Sequence, residues 1–291
     1  MRAVNGLPPR MNGRVVNAMT VDVEDYFHAQ ALGIARELWE DQERRVERNT
    51  RRIMDLFAES GTSATFFILG WVAERHPALV RDIVESGHEV ACHGWDHTRV
   101  DRQRPEEFRA DIRRAKALIE DIAATTVKGY RAATFSIGQG NTWAFDILAE
   151  EDFAYSSSVY PIRHDYYGMP SAPRFPFYPI ADQTFLEYPM TSVRIAGRNW
   201  PCSGGGYFRL LPYSVSRWAM RRVNAGEEQP CVFYFHPWEI DAGQPRAENL
   251  PLKSRVRHYT NLERMERRLG RLLADFAWDR MDAILPGLRS E

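Results

Sequence analysis

Glu89-Val90-Ala91-Cys92-His93-Gly94-Trp95-Asp96-His97 is the stretch on which the reading of this chain turns. A run of strand length passes directly into two histidines spaced four apart. Where a strand stops, a turn or a first helical turn sets residues i and i+4 on one face, so both imidazoles can grip one cation. Such spacing also arises by chance, and alone it describes two ordinary histidines. A second cluster shifts the balance: Asp22-Val23-Glu24-Asp25 closes another apolar run. Zinc and similar ions take imidazole nitrogen together with carboxylate oxygen, and a catalytic site keeps one position open for water.

Outward from these clusters, apolar runs alternate with stretches of helical period. Strands are expected at 15–23, 64–69, 88–92, 129–131, 153–158 and 231–235. Helices are expected at 43–60, 72–86, 105–123, 142–151, 214–223 and 261–276. In the first helix Val46, Ile53, Met54 and Phe57 share one side, and Gly61 stops it. Pro77 interrupts or begins the second, which Gly87 closes. Strand and helix in alternation imply parallel strands with right-handed crossovers. The Asp22 cluster, His93, Arg131 and His236 all fall where a strand ends. A barrel gathers such ends at one mouth, which an open sheet need not do. The expected fold is α/β, a distorted TIM-like (β/α) barrel with fewer than eight regular strands.

The chain has 291 residues, 44% hydrophobic and 26% charged, with a net charge of -1. That suffices for one large domain with a sizeable core. The spread of Lys and Arg gives no reason to expect a nucleic-acid partner or an anionic membrane surface. No apolar stretch approaches the ~20 residues of a membrane span. Residues 1–13 read as a flexible tail without the apolar core of a secretory leader, and residues 14–291 as a single domain. Cys92, Cys202 and Cys231 are odd in number and far apart. Cys92 and Cys231 sit in apolar runs, so reduced core residues and a cytoplasmic location are expected. Residues 160–189 break the rhythm with six prolines. Their Tyr and Phe content suits an ordered insertion beside the mouth better than a floppy linker. Ser203-Gly204-Gly205-Gly206-Tyr207-Phe208 is a tight glycine turn without the Lys-Ser/Thr of a phosphate loop.

If His93, His97 and one carboxylate hold a divalent metal, the metal polarises a carbonyl and lowers the pKa of water. A carboxylate off the metal can take a proton from that water, and Asp22 is placed for it. Arg131 can pair with that base and keep it ionised. His236 can protonate a leaving amine. On an extended strand Glu24 shares a face with Asp22; if the strand has ended, Asp25 turns in instead.

The motifs D-V-E-D at 22–25, H-G-W-D-H at 93–97, R-A-A-T-F at 131–135 and F-H-P-W at 235–238 resemble, in order, those of the polysaccharide deacetylase family, the NodB-homology carbohydrate esterases. T-V-D-V-E-D-Y-F, G-G-G-Y-F-R-L-L-P, H-P-W-E-I-D and R-H-Y-T-N-L resemble the branch associated with exosortase and exopolysaccharide gene clusters, whose own part is about 160–291. The resemblance implies a distorted barrel and removal of acetyl from GlcNAc-type sugars of a polysaccharide or exopolysaccharide precursor. It implies Asp22 as base, Arg131 as its partner and His236 as acid. It also implies His93 and His97 as ligands with Glu24 or Asp25 as the third. The metal expected is Zn2+, with Co2+, Ni2+ and Mn2+ as the other candidates. Expected partners are an acetylated oligo- or polysaccharide and the exopolysaccharide machinery. Ala133 stands where the family usually has proline. Residues 155–159 lack an expected aspartate, so orientation of His236 passes to Glu239 or Asp241. Trp95, Tyr160, Tyr207 and Trp238 are candidate walls for a sugar face, or simply core. Hydrolysis of a small cyclic amide or ureide, and a silent sugar-binding role, are the rival readings.

Overall fold

The computed structural model describes residues 2–4, 8–181, 184–248 and 250–285. Eight parallel strands carry it: β1 Arg14–Val23, β2 Thr65–Ile68, β3 Glu89–Cys92, β4 Gly129–Tyr130, β5 Tyr155–Ser156, β6 Leu186–Glu187, β7 Val232–Phe235 and β8 Ala277–Asp279. They pair in the order β6-β5-β4-β3-β2-β1-β7, and β8 pairs with β1 at Val16–Ala18. The order follows from the crossover helices. Among them are α1 Val46–Ser60, α2 Gly70–Arg75, α3 Pro77–Glu85, α4 Pro105–Ala123 and α5 Trp143–Glu150. The stretch 72–86, expected as one helix, is two, because Pro77 opens α3 at His76.

The sheet curls into a distorted barrel. Between β6 and β7 its ladder is replaced by single bonds: Val232 N–H donates to Thr191 Oγ1 at 2.7 Å and Tyr234 N–H to Ser203 O at 3.1 Å. Alternation along the strands sorts side chains into two cores. Met19, Val21, Val23, Phe66, Ile68, Val90 and Cys92 pack under the helices. Val16, Ala18, Phe67, Ala91, Val232 and Tyr234 fill the barrel. Parallel strands covered on both faces are buried throughout, as β1 is from Val15 onward. β1 is the hub, pairing with β2, β7 and β8; Thr20 Oγ1 donates to Phe233 O, 213 positions away.

Beyond β6 lie α6 Gly205–Leu210, α7 Tyr213–Arg221, α8 Leu252–Tyr259 and α9 Leu262–Asp275. Short polar strands and α8 had no clear sequence signal. The Ser192–Ile195/Arg198–Pro201 hairpin is one such piece. The segment expected as a tail makes two pairings: Arg2–Ala3 with Phe177–Tyr178, and Arg10–Met11 with the start of β1. Met1, 5–7 and 286–291 lie outside the described residues. Cys92, Cys202 and Cys231 are buried and unpaired. No helix among the described residues is long and apolar enough to cross a membrane.

Candidate active site

The carboxyl ends of β1, β3, β4 and β7 meet at one mouth. On β1 the inward parity of Ala18 and Thr20 continues through Asp22 to Glu24. On β3 it runs from Ala91 to His93, and on β7 from Val232 through Tyr234 to His236. Glu24, His93 and His97 therefore converge, each offering an atom within 4.8 Å of the others. His97 returns to the cluster through a left-handed backbone, φ 59°, rare outside glycine. Its Nε2 lies 3.1 Å from Glu24 Oε2. His93 Nδ1 is 2.8 Å from the Arg131 carbonyl, which fixes the ring with Nε2 left as the ligand atom.

The donor set fits a divalent ion. Glu24 Oε2 is buried and, among the described residues, accepts no hydrogen bond, an arrangement that costs energy unless a cation completes it. Burial lifts the Glu24 carboxyl to about 7, with His236 pulling the other way and Asp22 adding to the rise. Burial also keeps His93 and His97 below the ordinary histidine range, in the neutral form a metal needs.

Asp25 is not in this cluster. One position out of parity with Glu24, it faces the helices. Its Oδ2 accepts the N–H groups of Arg45 and Val46 at 2.6 and 2.9 Å, capping α1, and its Oδ1 accepts Tyr26 N–H. Asp25 as a ligand is thus corrected: the carboxylate is spent on a helix start.

Asp22 sits beside the metal cluster. Arg131, fully buried, donates from Nη1 to Asp22 Oδ1 at 2.6 Å and to Thr20 Oγ1 at 2.8 Å. Its Nε and Nη2 reach the carbonyl and hydroxyl of Ser157, both at 3.1 Å. With Oδ1 held, Asp22 Oδ2 faces the mouth, 3.9 Å from His236 Nε2. The serines after β5 are in turn fixed by buried Glu187, which accepts the N–H groups of Ser158 and Val159 and the Ser156 hydroxyl. Thr134, with φ 53°, brings the loop after Arg131 to the mouth despite alanine at 133.

His236 opens the turn His236-Pro237-Trp238-Glu239. Glu239 Oε1 lies 2.8 Å from its Nδ1, and Nε2 points to Glu24 Oε1 at 3.2 Å. Burial would lower this imidazole, but Glu24, Glu239 and Asp22 together raise it to about 9. Glu239 is held near 2, against burial, by Arg209 and His236. Asp241, the other candidate for orienting His236, instead binds Arg45, Arg48 and Asn49.

Arg209 has no counterpart among the residues expected from sequence. Buried under the glycine turn, it donates from Nε to Glu239 Oε2 at 2.6 Å and to the carbonyls of Arg257, His258 and Thr260. The glycines explain the approach: a Cβ on Gly205 would stand 2.1 Å from Glu239 Oε1, and one on Gly204 2.6 Å from the Tyr234 ring. The signal was G-G-G followed by a lone arginine, which without a partner in view reads only as a turn.

Of the four aromatic candidates, two line the cleft. Trp238 forms its floor, stacked between His236 at 5.1 Å and His258 at 4.1 Å, and Tyr207 stands on the rim. Trp95 is corrected: past Gly94 it turns outward onto Gly70, beneath Arg114. Tyr160 is also corrected, for it lies fully buried one layer back, parallel to Tyr167. His164, Tyr166 and Tyr167 of the proline-rich insertion do reach the cleft.

Comparison with known proteins follows this division. Residues 38–145 match the family described as polysaccharide deacetylase, and residues 157–286 match a domain of unknown function, DUF3473. The chain is 29% identical over 100 residues to a chitooligosaccharide deacetylase of Bradyrhizobium sp. (strain ANU 289), covering 34% of this chain and 43% of that protein. It is 32% identical over 72 residues to the peptidoglycan-N-acetylglucosamine deacetylase PgdA of Listeria monocytogenes serotype 1/2a (strain 10403S), covering 25% and 16%. The match thus spans less than half the length of these relatives. A crystal structure from Mycobacterium smegmatis, described as a polysaccharide deacetylase, shares the fold. Its TM-score is 0.63 at 19% identity, over 97% of this chain and 93% of that one. Residues 38–145, the stretch that holds both histidines, thus carry a polysaccharide deacetylase domain, and the distorted barrel around it is the fold of the Mycobacterium smegmatis structure.

Proposed function

We propose that the protein is a metal-dependent hydrolase that removes N-acetyl groups from GlcNAc-type sugars of a polysaccharide chain. The observation that carries this reading is the convergence of Glu24, His93 and His97 within 4.8 Å, with Asp22 and His236 at its edge. A divalent ion there, zinc best suiting two imidazoles and a carboxylate, supplies polarisation of the acetamide carbonyl and acidification of water.

Asp22 takes a proton from the attacking water through Oδ2, since Arg131 occupies Oδ1. Arg131, as a buried guanidinium, needs this counter-charge, and its bond to Oδ1 orients Asp22 with Oδ2 toward the water. His236 Nε2 delivers a proton to the amine nitrogen as the C–N bond breaks, releasing acetate and a free amino sugar. Glu239 accepts the Nδ1–H and so favours the doubly protonated imidazolium, whose Nε2–H is the proton delivered. Tyr166 and Tyr207 offer aromatic surface to the sugar, while Trp238, stacked between His236 and His258, backs the acid.

Asp22→Asn tests the assignment. It should keep the metal, measured by elemental analysis, while acetate release from N-acetylated oligosaccharides falls about 10²–10⁴-fold. Loss of metal in that variant would make Asp22 a ligand and overturn its role as the base.

A further inference from the structure

The motif Arg257-His258-Tyr259-Thr260-Asn261-Leu262 is almost wholly consumed by structure. His258 stacks on Trp238, and its Nε2 lies 2.7 Å from Gln244 Oε1. Tyr259 OH accepts Ala247 N–H at 2.9 Å. The carbonyls of residues 257, 258 and 260 accept from Arg209, and Asn261 Nδ2 donates back to Arg209 O. Leu262 is buried. The Arg257 side chain is the exception. It lines the cleft, 5.0 Å over the ring of Tyr166 and 30% exposed. Among the described residues its nearest carboxylate is Asp165 at 3.9 Å, and Asp165 is already bonded to Lys253.

A guanidinium carries five donors in a rigid fork. Here that fork is partly desolvated, set 5.0 Å over an aromatic ring, and anchored through its own carbonyl by Arg209. Leaving it unanswered is costly, whereas a carboxylate answers two donors at once. The metal end of the cleft is acidic, with Asp22, Glu24 and Glu239, so an anionic group has its place at the Arg257 end. From this juxtaposition we infer that Arg257 reads a carboxylate on a sugar neighbouring the acetylated one. The cleft then selects an acidic glycan of alternating N-acetylated sugar and uronate over a neutral chain. The inference rests on the cleft being a sugar-chain site, as proposed above.

The test is equilibrium binding to the full chain, read by calorimetry, with acetate release followed in parallel. The probes are oligosaccharides alternating GlcNAc with glucuronate, and chitooligosaccharides of equal length. The wild type should bind the acidic chain about tenfold more tightly, and rising salt should shrink the gap. Arg257→Gln should close the gap and Arg257→Lys restore part of it. Equal affinities in the wild type, or a preference that survives Arg257→Gln, would overturn the inference. A binding preference without acetate release from either probe would leave the subsite standing and count against the proposed reaction.

Discussion

Glu239 Oε1 lies 2.8 Å from His236 Nδ1, while its other oxygen takes the Nε–H of buried Arg209 at 2.6 Å. One carboxylate thus joins a histidine of the mouth to an arginine under the glycine turn. Removing it disturbs both sides. Glu239→Gln should lower kcat about 10–100-fold, the usual cost of losing the partner that orients a working histidine. Glu239→Ala should in addition cost roughly 3–5 kcal/mol of stability, because Arg209 is left charged and buried. Steady-state kinetics with denaturant melts separate the two effects; an unchanged kcat in the Gln variant would refute the positioning role.

The glycine turn gives a paired prediction. Gly205→Ala places a methyl in the space of the Glu239 carboxylate, whereas a Cβ on Gly206 meets nothing within 4 Å. The first change should depress both Tm and acetate release, and the second should leave Tm within about 1 °C, since half-buried Gly206 has open space at its Cβ position. Equal behaviour of the two variants would remove the close approach as the reason for glycine.

Two adjacent carboxylates should separate cleanly on metal binding. Glu24→Gln should lose stoichiometric metal. Asp25→Asn should retain it and instead lose about 0.5–2 kcal/mol, the worth of a helix cap. Elemental analysis of both variants decides this, and loss of metal from Asp25→Asn alone would reverse the assignment.

Glu187 sets a pH dependence. Burial raises its carboxyl from 4.5 to about 7, so the folded state holds a proton that the unfolded chain has released. Its contribution is therefore fully present below about pH 4.5 and lost as pH rises through about 7. Glu187→Gln keeps an acceptor for Ser158 and Val159 and a partner for Ser156. The difference in Tm between variant and wild type should therefore grow in favour of the variant from about pH 4.5 to about pH 7. A flat difference across that range would show that Glu187 is ionised in the fold.

Much of this architecture could be read from residues alone, for physical reasons. Strand parity carries Asp22, Glu24, His93 and His236 inward, and period 2 is visible in a sequence. The alternation of helix and strand announced the barrel. What failed was anything set by distant partners. Asp25 caps a helix that begins twenty-one residues later, a pairing that no local pattern reveals. Trp95 and Tyr160 looked like cleft aromatics because composition does not say on which side of a sheet a loop residue lands. Arg209 was invisible because its role exists only in contact with Glu239 and three carbonyls from beyond residue 256.

The hub position of β1 has a consequence for synthesis. Thr20 must wait for Phe233, 213 positions later, before its strand gains its partner on that side. At ribosomal speeds of about 5–20 residues per second this is a delay on the order of 10–40 s. Throughout it, the nascent chain carries a strand that folding buries on both faces and that is open along one edge, the kind of surface that pairs with other chains. A truncated product, however much of its N-terminal half is intact, would hold Glu24, His93 and His97, the proposed ligands, without the histidine that completes the mouth. For this chain, the last quarter of translation is when an aggregation hazard turns into a centre of chemistry.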